Sequence, residues 1–504
     1  MVTSEAMAAT AQPVEKSSKV SRLVLAALIL IIVAGAALRV YQLGTESVWL
    51  DEAFSIKLSQ NEPAGIIEET SKDVHPPLYY FALHYWMMLF GDSERGVRLL
   101  SALLGVLAIT ATYKVASLLF GKATALTASA LLALSRFHLE FSQEARMYTL
   151  LGLLALASVY FFIKLVEEPS LAAFLAYVAA SGLMMYTQVY SVFILAAQNL
   201  FVLTLLFASR ETFRRVLWRW LLAQIILAVL FLPWFSVLAQ QVSHVQKGFW
   251  IPRLPARFMF STLVMYAGSY VLSGFLFTLA ALAVFFGWRR KNEEAESVSG
   301  SAPAGTLTER LKIYLLLLWL SCSILLPFLV SQFASPIFLP KYTIAALPAF
   351  LILAARGFSR LRFHQLRVVV VLLVVFFSAG VLKNYYAALK KDPWREAVAS
   401  FEQLAKPGDL VLFNQASGQY PFDYYSKTRG LDEEPFPDFQ SELTHANLPA
   451  LLGETVKDRT RVWLVVSHPN ELTPLIPLQL AEWYGAATEI IYPGVEMYLF
   501  EKRR

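Results

Sequence analysis

Residues 23–54 read LVLAALILIIVAGAALRVYQLGTESVWLDEAF. The opening apolar run is long enough to cross the hydrocarbon core of a bilayer, which takes about 17–25 residues. Two adjacent acids, Asp51 and Glu52, follow Trp49 with only Leu50 between. No small-residue cleavage site follows Ser21–Val40, so this run is expected to stay as an anchor and not to leave as a signal peptide.

The same pattern recurs along the chain. Of 504 residues 57% are hydrophobic and only 16% charged, and the mean hydropathy is +0.52. These values exclude an ordinary soluble domain and point to a polytopic membrane protein. Apolar runs continue to about Lys383, and roughly the last 120 residues have soluble composition. The single cysteine, Cys322, rules out an intramolecular disulfide and any cysteine metal motif. The net charge of +6 is no nucleic-acid signal, because most Lys and Arg stand in short loops between apolar runs.

Three basic loops set the orientation: Arg210 with Arg214, Arg215 and Arg219; Arg289 to Lys291 with Arg310 and Lys312; and Arg356 with Arg360, Arg362 and Arg367. By the positive-inside rule all three face the cytoplasm. Alternation then puts the loop around Asp51, the segment 136–146 and the carboxy-terminal region outside. Both ends are satisfied only if one run between residues 77 and 138 is not a full span. Leu78–Phe90 is the shortest, and we read it as re-entrant or lying on the outer face. The expected fold is mainly α, a bundle of about 11–13 spans with a small extracytoplasmic α/β domain in the plasma membrane of the cell.

The chain divides accordingly. Residues 1–19 are polar, Ala/Ser-rich and expected to be disordered in the cytoplasm. Residues 20–290 form a membrane module with an outer loop at 43–76, and 291–311 form a Ser/Gly/Ala/Pro-rich cytoplasmic linker. Further spans occupy 312–385 and the outer domain 386–504. In that domain Trp394–Leu404 and Leu478–Tyr484 read as helices, and Asp409–Asn414, Arg461–Ser467 and Met497–Glu501 as strands.

Structured loops of about 33 residues between spans are usually functional. The first outer loop contains two short amphipathic stretches, 53–59 and 63–70, and ends in Asp73-Val-His-Pro-Pro-Leu-Tyr-Tyr80. Pro76 and Pro77 fix the backbone entering the next helix, which aims His75 at the membrane surface. Asp51 and Glu52, beside an interfacial Trp49, suit proton abstraction from a hydroxyl. They equally suit an ordinary helix start, with Asp51 as N-cap of a helix beginning at Ala53. Arg146, in Ser142-Gln-Glu-Ala-Arg146, offers a planar fork for phosphate, or a salt bridge to Glu140 or Glu144. Lys341 offers a second cation, or snorkels to headgroups. Gln188, Gln198, Asn199 and Gln224 within spans read as interhelical hydrogen-bonding groups. No chain of Asp, Glu or His crosses the spans, and no inverted repeat is visible, which disfavours a coupled transporter.

Trp49-Leu-Asp-Glu52, His75-Pro-Pro-Leu-Tyr-Tyr80, Phe90-Gly-x4-Gly-Val-Arg98-Leu and Ser142-Gln-Glu-Ala-Arg146, in this order over about residues 20–385, resemble the GT-C integral-membrane glycosyltransferases. That group holds protein O-mannosyltransferases and the aminoarabinose and galacturonic acid transferases of lipid A. Lys341-Tyr342 stands where related sequences often show Arg-Tyr, which keeps the charge and loses the fork. The resemblance implies an inverting glycosyltransferase, hexosyl or pentosyl, that uses a sugar carried on polyprenyl phosphate and a lipid, glycan or protein acceptor. It implies Asp51 as base or acceptor-orienting group with Glu52 supporting it. Arg146, Lys341 and His75 would face the donor phosphate, and Trp49, Tyr79 and Tyr148 the acceptor or sugar pocket. No P-loop or Gly-rich phosphate turn is present, as a nucleotide-free donor requires. A divalent ion bridging Asp51 to phosphate would suit hard oxygen ligands, but no further ligands can be named, so no obligatory cofactor or metal is expected. The rival reading is a transporter or flippase of lipid-linked sugars, which would have no need of the acidic pair.

Overall fold

The computed structural model describes residues 4–247, 251–289, 306–437 and 443–502, with side chains from residue 21 except at 244–247. The expected linker lies mostly in 290–305, outside the described residues. The chain forms two compact units, one of residues 1–41, 63–86 and 98–387 and the other of residues 42–62, 87–97 and 388–504. The outer loop is therefore divided: its acidic half packs with the carboxy-terminal domain and its His75 half with the membrane helices.

The larger unit is helical. Among the described residues nine helices are long and apolar enough to cross a membrane, and Lys122–Leu134 and Leu171–Met185 are shorter apolar helices. Nine full-length helices fall below the expected 11–13; the two short ones bring the total to the lower bound. Helix α1 runs Ser4–Val40, so residues 4–19, expected to lie outside any element, continue the first span backwards. Their alanines favour helix. The helices that build the site are α3 (Pro63–Lys72), α4 (Leu78–Phe90), α5 (Glu94–Phe120), α8 (Tyr148–Glu167), α9 (Leu171–Met185), α10 (Ser191–Ala208) and α11 (Arg210–Lys247). At thirteen residues α4 is as short as the sequence shows. The run expected as one span over 262–287 is two helices, Arg257–Ala267 and Tyr270–Arg289, parted at Gly268 with φ +87°. A left-handed glycine is the usual stop for a helix, since other residues meet a Cβ penalty there.

Intramembrane amides mostly pair as expected. Tyr177 donates to Gln198 Oε1 at 3.0 Å, Gln198 Nε2 donates to Ser158 at 3.0 Å, Trp220 donates to Asn199 at 2.9 Å and Gln224 reaches Tyr177 at 3.5 Å. The sequence reading missed Arg39, fully buried in α1, where its guanidinium donates to the carbonyls of Gly35, Ala133 and Leu132 and lies 2.9 Å from His138 Nδ1. Carbonyl and imidazole partners are what keep such a buried charge tolerable. At Gly357 a Cβ would lie 1.6 Å from the carbonyl oxygen of Leu279. A small residue here lets two helix backbones touch. Gly357→Ala is expected to lower stability by about 2–3 kcal/mol, read as a drop in thermal midpoint of the detergent-purified chain.

The smaller unit holds a five-stranded sheet in the order β2-β1-β3-β5-β4, with β1 Leu410–Phe413, β2 Asp432–Pro435, β3 Arg461–Ser467, β4 Thr488–Tyr492 and β5 Val495–Glu501. β1 pairs in parallel with β2 and β3, and β5 is antiparallel to β3 and β4. Alternate residues serve two cores. Leu410, Leu412, Val462 and Leu464 pack with Leu452 and Leu480 on one face, and Val411, Phe413, Trp463 and Val465 pack with Trp394, Phe401 and Phe422 on the other. Both faces of β1 and β3 are thus covered, which is why they read as continuous apolar runs.

The edge strand β2 was not foreseen, and it carries Glu433. Burial, with a hydrogen bond and like charge from Asp423, pushes the Glu433 carboxyl up to about 7 from 4.5. The folded unit then holds a proton that the unfolded chain releases between those values, so stability falls as pH rises through about 5 to 7. Glu433→Gln is expected to flatten that fall, measured as thermal midpoint from pH 5 to 8.

Candidate active site

Helix α2 (Leu50–Ser59) brings the acidic pair into the smaller unit. It begins at Leu50, not Ala53, and its N-cap is Trp49 without a side-chain cap. Asp51 is therefore not the N-cap; with Glu52 it lies in the first turn, where negative charge meets the positive end of the helix dipole. The half-buried Asp51 accepts a hydrogen bond on its carbonyl from Ser55 Oγ at 2.9 Å. Glu52 points the other way. It is 0% exposed, and its carboxylate pairs with Lys391 Nζ at 2.9 Å, a partner the sequence did not reveal.

The loop before α2 is stitched to residues 390–396 of the same unit. Lys390 Nζ lies 3.5 Å from Glu46, and Ser47 Oγ donates to Glu396 at 2.9 Å. Arg395 donates to Glu94 at 2.7 Å and to the carbonyl of Thr45 at 2.8 Å. Tyr425 accepts from the Val48 amide at 2.6 Å and donates to Glu94. Despite its partial burial, the Glu396 carboxyl is held below its usual range by hydrogen bonds from its own backbone and Ser47 and by the Arg395 charge. The sequence signal for this anchor was the Trp394-Arg-Glu396 helix start. Its partners were invisible because they lie about 350 residues away.

In the larger unit Tyr342 is the hub. It begins in the 3-10 turn Pro340–Ala346, with proline at the first position. Its ring meets His75 edge-on at 5.8 Å, Tyr190 edge-on at 5.3 Å and Tyr148 in a stack at 6.2 Å. Lys341 Nζ lies 5.8 Å from the Tyr148 ring and 5.9 Å from that of Tyr342. Such cation–ring contacts hold an ammonium without neutralising it. Three residues singled out from sequence, His75, Tyr148 and Lys341, therefore converge, and Tyr342 and Tyr190 join them.

His75 is set by its neighbours. Leu78 at the start of α4 donates its amide to Tyr186 O at 3.0 Å, tying the Pro76-Pro77 corner to the end of α9. Tyr79 Oη lies 3.1 Å from Ser101 Oγ, which donates to the Arg146 carbonyl at 3.3 Å. Arg146, buried, thus shares a backbone anchor with Tyr79 and stands two residues before Tyr148. Glu140, one expected partner of Arg146, lies 3.7 Å from Arg136. Gln143 fixes the same segment: its amide donates to the carbonyls of Arg39 at 3.1 Å and Tyr41 at 2.7 Å and accepts from Tyr385 at 2.9 Å.

Beside the hub lies a cavity of about 140 Å³ lined by His75, Gln188, Tyr190, Phe193, Gln241 and Tyr342 among aliphatic side chains. Among the described residues no group of three or more His, Cys, Asp or Glu is arranged to hold a metal ion. Trp49 is partly buried at the head of α2 in the smaller unit, and Tyr79 and Tyr148 are fully buried in the larger.

A family model described as dolichyl-phosphate-mannose-protein mannosyltransferase matches residues 74–236. ArnT from Cupriavidus metallidurans in the apo state superposes with a TM-score of 0.63 at 15% identity over 94% of this chain and 97% of that one. The same protein bound to undecaprenyl phosphate gives 0.59, at 15% identity over the same shares of the two chains. The archaeal oligosaccharyltransferase AglB from Archaeoglobus fulgidus, in complex with an inhibitory peptide and a dolichol-phosphate, gives 0.57 at 12% identity over 94% of this chain and 74% of that one. No curated protein matches the sequence.

Proposed function

We propose that this chain, which has the GT-C fold of integral-membrane glycosyltransferases, moves a sugar from polyprenyl phosphate to an acceptor hydroxyl at the outer face of the plasma membrane. The observation that carries the reading is the cluster of Lys341, His75, Tyr148 and Tyr342 within the membrane unit, a cation held over aromatic faces beside a cavity. A lipid phosphate needs a positive group that survives partial desolvation, and a sugar needs ring faces. The matched family model and the lipid-phosphate complexes of ArnT and AglB support the same donor chemistry.

In this reading the acceptor oxygen attacks the anomeric carbon opposite the phosphate. The bond from that carbon to the phosphate oxygen breaks, a new glycosidic bond forms with inversion, and the acceptor proton passes to Asp51. The leaving polyprenyl phosphate is a stable anion, so no strong general acid is required. Lys341 and the guanidinium of Arg146 stabilise its developing charge, which is worth most where water is excluded. Glu52 and Lys391 hold α2 so that Asp51 keeps its direction. The acceptor is a lipid, glycan or protein hydroxyl.

The test is accumulation. Membranes of a strain lacking this chain are expected to build up a polyprenyl-linked sugar that the wild-type gene clears. Lys341→Gln removes one charge-assisted contact and is expected to weaken donor binding about tenfold. A purified chain that carries labelled sugar lipid across liposomes without transferring the sugar would make it a transporter instead.

A further inference from the structure

Of the amides within the spans, Gln198, Asn199 and Gln224 find partners on neighbouring helices, and Gln188 does not. Gln188 follows the end of α9, is 2% exposed, and neither its amide nitrogen nor its oxygen has a hydrogen-bond partner. Gln241 on α11, 6% exposed, donates to the Thr70 carbonyl at 3.1 Å and has no partner for its oxygen. Buried amides are nearly always satisfied, so three orphan atoms on two side chains at one place need explaining. Both side chains line the 140 Å³ cavity beside Tyr342, which is on the scale of a cavity that accepts a single six-membered ring.

The rest of the lining limits the guest. Tyr190, Tyr342 and Phe193 supply ring faces, and Val74, Val189, Val192, Leu238, Val242, Ile251 and Ile337 are aliphatic. His75 and Ser335 complete the lining, and among the described lining residues there is no carboxylate, lysine or arginine. An ammonium buried here would have no carboxylate to meet it, and an unpaired buried charge is far costlier than an unpaired hydroxyl. A primary amide, by contrast, both donates to and accepts from a hydroxyl.

Resting on the function proposed above, we propose that this cavity receives the sugar of the lipid-linked donor and that Gln188 and Gln241 select a hydroxylated sugar over an amino sugar. Hydroxyls satisfy the amides while the C–H face of the ring lies against Tyr190 and Tyr342. An amino sugar is rejected for want of a counter-charge.

The experiment compares three lipids on the purified full-length chain by thermal stabilisation, which grows with ligand over Kd. They are undecaprenyl phosphate, undecaprenyl phosphate linked to mannose, and undecaprenyl phosphate linked to 4-amino-4-deoxyarabinose. The mannose lipid is expected to bind at least tenfold more tightly than the amino-sugar lipid. Gln188→Leu should weaken mannose-lipid binding about tenfold while leaving undecaprenyl phosphate binding in place, which also reports that the variant is folded. Gln188→Glu should reverse the preference by supplying the missing carboxylate. Equal binding of both sugar lipids, or unchanged mannose-lipid binding in Gln188→Leu, overturns this inference and leaves the transferase reading standing. Failure of all three lipids to bind overturns the transferase reading itself.

Discussion

Asp51→Asn is expected to slow sugar transfer by about 10²- to 10⁴-fold, the usual contribution of a positioned general base. At room temperature that corresponds to about 3–5 kcal/mol of transition-state stabilisation. Asparagine keeps the size and much of the hydrogen bonding of the side chain, and loses the charge and the capacity to accept the proton. Asp51 sits in the first turn of α2 and is not its N-cap, so the substitution removes no capping bond and costs a helix-dipole contribution of about 0.3–1 kcal/mol. The helix therefore survives, and donor binding should change little. The check is clearance of accumulated polyprenyl-linked sugar by the variant, alongside donor binding to the purified protein. Transfer at the wild-type rate would remove Asp51 from the mechanism.

Lys391→Ala is expected to destabilise the smaller unit by about 3–5 kcal/mol, because it leaves the Glu52 carboxylate buried without its counter-charge. The pair is 2.9 Å apart, Glu52 is fully enclosed and the Lys391 side chain is 14% exposed. Replacing both partners tells the pair's net worth from the penalty of orphaning one: Glu52→Gln with Lys391→Met should recover most of the loss. Thermal unfolding of the single and double variants measures the coupling. If Lys391→Ala stays within about 1 kcal/mol of the wild type, the pair does not anchor α2.

The two acids thus have opposite fates. Sequence pairs Asp51 and Glu52 as neighbours on one helix turn, and adjacent residues on a helix point about 100° apart. One faces Lys391 in the interior of its unit and the other is half-exposed. No sequence pattern decides which is which, because the deciding lysine is about 340 residues away. The same holds for the amides. Gln188 reads like Gln198 until the neighbours are known, and only packing leaves the first beside a cavity and gives the second two partners.

Strand β2 failed to announce itself for a different reason. Asp-Glu-Glu-Pro is a poor strand former, and an edge strand tolerates such residues because one side of its ladder is open. The split at Gly268 was hidden inside an apolar stretch, since hydropathy reports burial in lipid and is blind to backbone dihedrals.

By itself the sequence determined the membrane class, the run of spans, the buried strands β1, β3 and β5, and the identity of His75, Tyr148 and Lys341 as groups worth following. These depend on local composition and periodicity, which set how much apolar surface each segment must remove from water. The tertiary structure alone decided that those three gather around Tyr342, that the outer loop divides between two units, and that Glu52 is locked to Lys391. Such facts depend on which distant side chains share a few ångströms of low-dielectric space, and chain order carries no record of that.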